Sequence, residues 1–191
     1  MVFIGAHISR EKTLNDTIKK IIDNQGYALQ IFVSNPRSSK ITSLNPIFFK
    51  NSQIPDDFKL VIHNPYTINL AKEPKINKRT VDLKDCYWTN LMIHQLLVSD
   101  LIGSIGVVVH VGKYTTTTKE QGLKYMYEAI HYIIHQMKEM NIKSKLIIET
   151  PAGAGTELLT DIDEFIQFYD MFTLDEKKCL GMCLDTAHIW S

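Results

Sequence analysis

Short, continuously apolar runs occur six times along the sequence, and longer amphipathic stretches separate them. The six runs cover residues 2–7, 27–33, 59–63, 105–110, 145–149 and 180–185. Apolar residues that do not alternate with polar ones indicate strands buried on both faces, as in a parallel sheet. We therefore expect an α/β protein built on a parallel sheet of six strands.

The stretches between the runs carry the spacing of amphipathic helices. Leu14, Ile18, Ile21 and Ile22 follow the i, i+4, i+7, i+8 pattern and predict a helix over residues 11–24. Similar reasoning predicts helices over residues 77–102, 118–140 and 161–172. Repeated strand–helix units fit two folds, a doubly wound sheet and a (β/α) barrel.

Four of the six runs end in a side chain that can bind a metal ion. These side chains are His63, His110, Glu149 and Asp185, and His188 follows three residues after the last of them. In a (β/α) barrel the carboxyl ends of the strands form a ring around one face, where active sites lie. Imidazole nitrogens and carboxylate oxygens are ligands of zinc and manganese. The repetition favours a barrel with a metal site, whereas one polar residue alone at a strand end usually only marks where the strand meets solvent.

Charge and composition exclude several classes of protein. The chain has 21 basic and 21 acidic residues, but residues 1–80 carry a net charge of +6 and residues 81–191 a net charge of −6. A basic half can contact phosphates, and an acidic half can hold metal ions. No apolar stretch approaches the roughly 20 residues of a membrane-spanning helix, and no signal peptide is visible. Three scattered cysteines frame no disulfide scaffold. We expect an intracellular protein without membrane contact.

Six short segments resemble a known family in their order and spacing. They are GAHIS at residues 5–9, FVSNPR at 32–37, HNPYTINL at 63–70, HVG at 110–112, IETPAGAG at 148–155 and CLDTAH at 183–188. Together they resemble the endonuclease IV family, the zinc-dependent apurinic/apyrimidinic (AP) endonucleases of DNA base-excision repair. The resemblance runs through the whole chain, and the fold that it implies is a TIM barrel of the xylose-isomerase-like kind.

A TIM barrel has eight strands and typically about 250 residues, whereas this sequence supplies about six of the eight β/α units. Residues 1–191 are therefore expected to form a single, incomplete barrel domain. An unclosed sheet leaves its first and sixth strands as open edges, and open edges offer a route to self-association.

The resemblance implies roles for the residues at the strand ends. His63, His110 and Glu149 would hold one zinc ion, and Glu149 would be the central catalytic residue. Glu149 would also bridge to a second zinc ion that binds Asp185, whereas His188 would belong to a third. Only the first of these three sites is complete within the sequence, and manganese is the alternative metal.

The resemblance also implies a substrate, double-stranded DNA that contains an abasic site. Arg37 and Tyr66 match residues that enter the DNA at the lesion, Asn35 belongs to the same DNA-binding set, and His7 supports the site. A hydroxide between the metal ions would attack the phosphorus on the 5′ side of the lesion. The products would be a 3′-hydroxyl and a 5′ deoxyribose phosphate.

Two other functions compete with this interpretation. A catalytically inactive homologue that only binds DNA or a protein partner would explain the missing ligands. A sugar isomerase or epimerase would share the barrel and a divalent metal, but the sequence shows no motif that places a lysine or glutamate for proton transfer. His131 and His135 have i, i+4 spacing without the glutamate of a zincin, and we expect them on a solvated helix face.

Overall fold

Strands and helices alternate in the computed structural model, which describes residues 2–41, 46–49 and 52–190. The strands are β1 (Gly5–His7), β2 (Ala28–Ile31), β3 (Lys59–His63), β4 (Lys75–Ile76), β5 (Arg79–Thr80), β6 (Gly106–His110), β7 (Lys145–Glu149) and β8 (Leu180–Cys183). The helices are α1 (Leu14–Asp23), α2 (Pro46–Phe49), α3 (Tyr87–Leu101), α4 (Lys119–Glu139), α5 (Ile162–Asp170) and α6 (Thr186–Trp190). Within these ranges, no helix has the length and apolar character needed to cross a membrane.

Six of the strands form one parallel sheet in the order β1-β2-β3-β6-β7-β8. This confirms the predicted parallel α/β fold. The strand order follows the chain and never reverses, as in a (β/α) barrel, whereas a doubly wound sheet reverses at a switch point. Over the described residues β1 and β8 each have one neighbour in the sheet. The structure is therefore six strands of a TIM barrel with two open edges.

Alternate strand residues face the helices and build the core. Leu60, Ile62, Val107 and Val109 are almost fully buried in this layer. Helix α1 packs against β2, and its N-cap is Thr13, whose side chain forms a capping box with Asp16 and so fixes where α1 starts. The intervening strand residues face the other way and line an open groove of about 430 Å³ on the inner side of the sheet. The prediction that the strands are buried on both faces therefore holds for β6, whose groove-side Val108 is buried. It holds only in part for β3 and β7, whose groove-side Val61 and Ile147 are half-buried.

The predicted helix over residues 77–102 is wrong in its first part. Strands β4 and β5 form an antiparallel hairpin there, a 3₁₀ turn follows at Leu83–Asp85, and α3 begins only at Tyr87. Asn77 and Lys78 have φ angles of 50° and 65°. This left-handed backbone suits the two central residues of a tight hairpin turn and cannot continue a right-handed helix.

Candidate metal centre

Three predicted ligands are the last residues of neighbouring strands. His63 ends β3, His110 ends β6 and Glu149 ends β7. His110 and Glu149 are register partners, and β3 pairs with the other side of β6. The three side chains therefore converge, with the Glu149 Oε2 atom 3.2 Å from His110 Nε2 and 3.5 Å from His63 Nε2.

These distances fit a metal ion between the three atoms. A tetrahedral zinc ion with bonds of about 2.1 Å places neighbouring ligand atoms about 3.4 Å apart. Glu149 is only 6% exposed, and its Oε2 atom is buried without a hydrogen-bond partner. Because an uncompensated buried carboxylate is costly, this arrangement of donors suits a bound cation.

The backbone fixes the tautomers of two histidines. His63 Nδ1 lies 2.8 Å from the carbonyl oxygen of Asn64, and His188 Nδ1 lies 2.8 Å from that of Thr150. A carbonyl oxygen can only accept, so in each ring Nδ1 carries the proton. The lone pair is therefore on Nε2, the atom that a metal ion would bind.

Asp185 and His188 follow the end of β8 and lie beside Glu149. Asp185 Oδ1 accepts hydrogen bonds from the amides of Ala187 and His188, at 2.8 and 3.1 Å, and so begins α6. Its other oxygen, Oδ2, is 3.6 Å from His188 Nε2. Glu149, Asp185 and His188 offer ligand atoms that all lie within 4.8 Å of one another.

Thr150 positions this second group and is absent from the predicted set of site residues. Its hydroxyl accepts a hydrogen bond from the Asp185 amide at 3.0 Å, while its carbonyl oxygen accepts one from His188. Its amide donates to the Cys183 carbonyl at 3.0 Å, which holds the residue against the end of β8. The only signal in the sequence is its place directly after Glu149.

Phe32 is a second site residue that the sequence patterns do not single out. Its ring centroid lies 4.9 Å from those of His7 and His63 and 5.3 Å from that of Tyr66. His7 also stacks on His63 at 5.6 Å, and burial together with the neighbouring His63 lowers the pKa of His7. Phe32 and His7 thus pack against the ring of His63, and the supporting role of His7 in the site stays a prediction.

Tyr66 and Arg37 lie on two joined loops at the same end of the sheet. The Tyr66 amide donates to the Pro36 carbonyl at 2.9 Å, and the Asn35 side chain accepts from the Arg37 amide at 2.9 Å. Tyr66 is 57% exposed, and its ring contacts the rings of His63 and His110. Asn35 therefore shapes the turn that carries Arg37. Of the three predicted DNA-binding residues, Tyr66 contacts the ligand cluster, and Asn35 and Arg37 lie on the loop that is hydrogen-bonded to the Tyr66 amide through Pro36.

His131 and His135 lie on α4, away from this centre. His131 Nδ1 is 2.6 Å from Glu176, and His135 Nδ1 is 3.5 Å from Glu139 on the same helix. Both side chains are mostly exposed to solvent. The expected solvated helix face is confirmed.

The pKa of Glu149 gives a test of the ligand cluster in metal-free protein. Burial raises this pKa, but the facing His110 and His63 rings outweigh burial and hold it at about 2, below the ordinary 4.5. With a depressed folded-state pKa, the carboxylate contributes stability that is present above pH 4.5 and is lost as the pH falls toward 2. In EDTA, the unfolding free energy should fall more steeply over this range in the wild type than in Glu149→Gln. Urea titrations at stepped pH measure this, and equal slopes would contradict it.

A second test concerns Asn69, which joins the loops after β3 and β6. Its Oδ1 accepts from the amides of Ala71 and Lys113, at 3.0 and 2.9 Å, and its Nδ2 donates to the Lys113 carbonyl at 2.9 Å. Asn69→Ala should lower the free energy of unfolding by about 1–3 kcal/mol, since partly buried backbone groups lose their partners. Asn69→Asp keeps the acceptor and should show a smaller loss in urea unfolding. An alanine variant as stable as the wild type would show that the hydrogen bonds of Asn69 do not contribute to the stability of the fold.

Comparison with known sequences identifies the family to which the chain belongs. The sequence profile of the family described as "Xylose isomerase-like TIM barrel" matches residues 47–191. The chain therefore belongs to the xylose isomerase-like TIM barrel family.

Particular relatives are more informative. The chain is 27% identical to the "Probable endonuclease 4" of Mesomycoplasma hyopneumoniae (strain 7448), covering 100% of this chain and 66% of the relative. It is 29% identical to that of Carboxydothermus hydrogenoformans, covering 97% of this chain and 62% of the relative. The resemblance to the endonuclease IV family is confirmed, and the chain spans slightly less than two thirds of these relatives.

Solved structures agree on the fold. The crystal structure of endonuclease IV from Thermus thermophilus matches with a TM-score of 0.67 at 20% identity, covering 99% of this chain and 64% of that one. A D-tagatose 3-epimerase-like protein matches with a TM-score of 0.63 at 14% identity, covering 97% and 66%. At these identities the likeness shows the predicted TIM-barrel fold and not the reaction.

Proposed function

We propose that this chain is an AP endonuclease-like phosphodiesterase that uses zinc and acts on double-stranded DNA. The proposed cleavage is on the 5′ side of an abasic site and leaves a 3′-hydroxyl and a 5′ deoxyribose phosphate. One observation carries the proposal: two imidazoles from neighbouring strands face the buried Oε2 atom of Glu149, which has no hydrogen-bond partner. Relatives that match almost the whole chain carry the endonuclease 4 name.

The residues present suit zinc. His63, His110 and Glu149 would hold the ion through two nitrogens and one oxygen, a donor set typical of hydrolytic zinc sites. A bound zinc ion supplies Lewis-acid chemistry, which stabilises the negative charge that develops during phosphodiester hydrolysis. Manganese accepts the same donors but prefers oxygen, so two imidazoles favour zinc.

The chain's own residues have separate tasks in this proposal. Glu149 fixes the ligand cluster, and the backbone carbonyl of Asn64 holds His63 with its Nε2 lone pair toward it. Arg37, on an exposed turn, would pair with a phosphate of the DNA backbone. Tyr66 offers a half-exposed ring directly above the histidines, where it can fill the gap left by the missing base.

Selectivity for damage follows from the cost of opening the duplex. Extruding or unstacking a nucleotide costs a few kcal/mol in intact DNA and less where no base is present. The Tyr66 ring beside the cluster and the Arg37 guanidinium on the adjoining loop would therefore gain most at an abasic site. A sugar epimerase shares the fold, but neither Arg37 nor Tyr66 has a task in the conversion of a sugar. DNA is therefore the favoured substrate.

Cleavage of a defined duplex tests this proposal. The purified chain, loaded with zinc, is incubated with a labelled duplex that contains one tetrahydrofuran abasic site, and with the same duplex without the lesion. We expect a single cut on the 5′ side of the lesion, a product end that a polymerase extends, and no cut after chelation. A folded, zinc-loaded chain that binds the duplex without cutting it would instead identify an inactive binding protein. Conversion of a ketose without any cut would identify an epimerase.

A further inference from the structure

We propose that the segments after β1, β2 and β3 form a cationic track, which binds the phosphate backbone of duplex DNA on the β1 side of the metal centre. Arg10 and Arg79 would be its outer contacts. The loop of Arg37, for which a phosphate contact is already proposed, lies between them in the order of the strands. The inference deepens the proposed function and rests on it for the identity of the ligand as DNA.

Every arginine of the sequence belongs to one of these three segments. The chain has 18 lysines but only three arginines, namely Arg10 after β1, Arg37 after β2 and Arg79 in the hairpin after β3, and all three are exposed. Segments that leave the carboxyl ends of the strands lie on the same face as the ligand cluster. A guanidinium can bind a phosphate through two parallel hydrogen bonds, whereas lysine acts only as a point charge.

The three guanidinium groups are not neutralised within the protein. Among the residues that the structure describes, none of them forms an ion pair with a carboxylate. Three acidic side chains of the same segments instead face lysines, in the pairs Glu11–Lys20 at 2.5 Å, Glu73–Lys75 at 2.5 Å and Asp82–Lys84 at 3.2 Å. The positive charge of the arginines is therefore available to an external anion.

Arg10 is held in place although it has no acidic partner. Its Nη1 atom donates to the Val33 carbonyl oxygen at 2.9 Å, and its guanidinium carbon lies 5.0 Å from the centroid of the Phe48 ring. Burial lowers the pKa of Arg10, but a guanidinium stays protonated in proteins. Arg10 also lines a cleft of about 270 Å³ together with Ser34 and Asn35. A fixed cation beside a hydroxyl and an amide suits a phosphate group.

Hydrogen bonds join the three segments into one rim. The bond from Arg10 links the first segment to the second, and the Thr67 hydroxyl links the third to the second by donating to the Ser38 carbonyl at 3.0 Å. The β4–β5 hairpin continues the third segment. Its base is fixed by Glu73, whose Oε1 atom accepts a hydrogen bond from the Tyr125 hydroxyl at 3.4 Å. The contacts of the track are therefore carried by a connected surface.

The opposite side of the same face has the reverse charge. The loops after β6, β7 and β8 cover residues 111–118, 150–161 and 184–185. Lys113 is their one basic residue, and its Nζ atom lies 3.1 Å from Glu157, whereas Asp161 and Asp185 add further negative charge. The basic first part and the acidic second part of the sequence thus have counterparts on the two sides of the carboxyl face. A duplex bound at the metal centre would extend over the β1 side.

The salt dependence of binding tests the track without reference to catalysis. Fluorescence anisotropy of a labelled, undamaged duplex with the zinc-loaded chain gives the slope of log Kd against log salt concentration. Each lost phosphate contact should lower this slope by about 0.9, so Arg10→Ala and Arg79→Ala should each show that loss and the double variant about twice it. Arg10→Lys keeps the charge and should keep the slope. Lys143→Ala, which removes an exposed cation before β7 at the opposite end of the sheet, is the matched control.

Arg79→Ala alters only the exposed hairpin, so it tests the track even if Arg10→Ala fails to fold. On abasic duplexes the double variant should raise KM and leave kcat unchanged. Shortening the DNA arm that lies over the track should remove this difference from the wild type, whereas shortening the other arm should preserve it.

The outcomes separate the inference from the proposed function. Unchanged salt slopes in folded variants, or a loss of affinity that is the same whichever arm is shortened, would overturn the inference, and cleavage by the wild type would still support the proposed function. Lower slopes in the arginine variants without any cut by the wild type would support the track and contradict the proposed function. A wild-type chain that does not bind duplex DNA would contradict both.

Discussion

Glu149→Gln is expected to lower the single-turnover rate of abasic-site cleavage by about 10³-fold or more. Loss of a group that merely orients a metal ligand costs about 10–100-fold, whereas Glu149 would itself be a ligand in the proposed site, with imidazoles facing both of its oxygens. The amide keeps the size of the side chain but removes its charge, and its nitrogen cannot bind a cation. Zinc content should fall with the rate.

The control for this change is Glu139→Gln, which removes a carboxylate from the exposed end of α4. It should leave both the rate and the zinc content unchanged. Circular dichroism and urea unfolding show whether each variant is folded. A folded Glu149→Gln protein that cleaves within tenfold of the wild type would show that this carboxylate is not central to catalysis.

Tyr66→Ala should lower kcat/KM on abasic DNA while the zinc content stays the same. Stacking of an aromatic side chain on a base is worth about 1–3 kcal/mol, which corresponds to about 5- to 150-fold. The half-exposed ring contacts His63 and His110 from outside, so its loss should leave their ligand atoms in place. Tyr66→Phe keeps the ring and should retain most of the activity.

Tyr27→Ala is the matched control, because Tyr27 is also about half exposed but precedes β2 at the opposite end of the sheet. Its kcat/KM should equal that of the wild type. Unchanged kcat/KM in Tyr66→Ala would exclude a role of this ring in DNA recognition. Loss of zinc from Tyr66→Ala would show instead that the ring maintains the ligand cluster.

The sequence predicted the sheet and the first ligand group because both depend on simple periodicity. A parallel strand that ends in His63, His110 or Glu149 must place that residue at the carboxyl edge, and a barrel brings these edges together. No contact between distant residues had to be known. The expected open edges on the first and sixth strands follow from the same count and are present in the described structure.

Other features could not be derived in this way because they depend on local backbone angles or on contacts between distant residues. Asn77 and Lys78 have left-handed backbone angles, so the predicted helix cannot start at residue 77. Neither residue is a glycine, so nothing in the sequence indicated these angles. The role of Thr150 depends on a hydrogen bond to an amide 35 residues later in the chain. Phe32 became part of the site only once the register of β2 and β3 was known.

The place of the first ligand group in the sheet has a consequence for how long a cation would stay bound there. His63, His110 and Glu149 end strands that are paired on both sides within the sheet. Local opening costs the most free energy in such core strands. A cation held by these three residues would therefore be released slowly, because none of its ligands lies on a segment that opens easily.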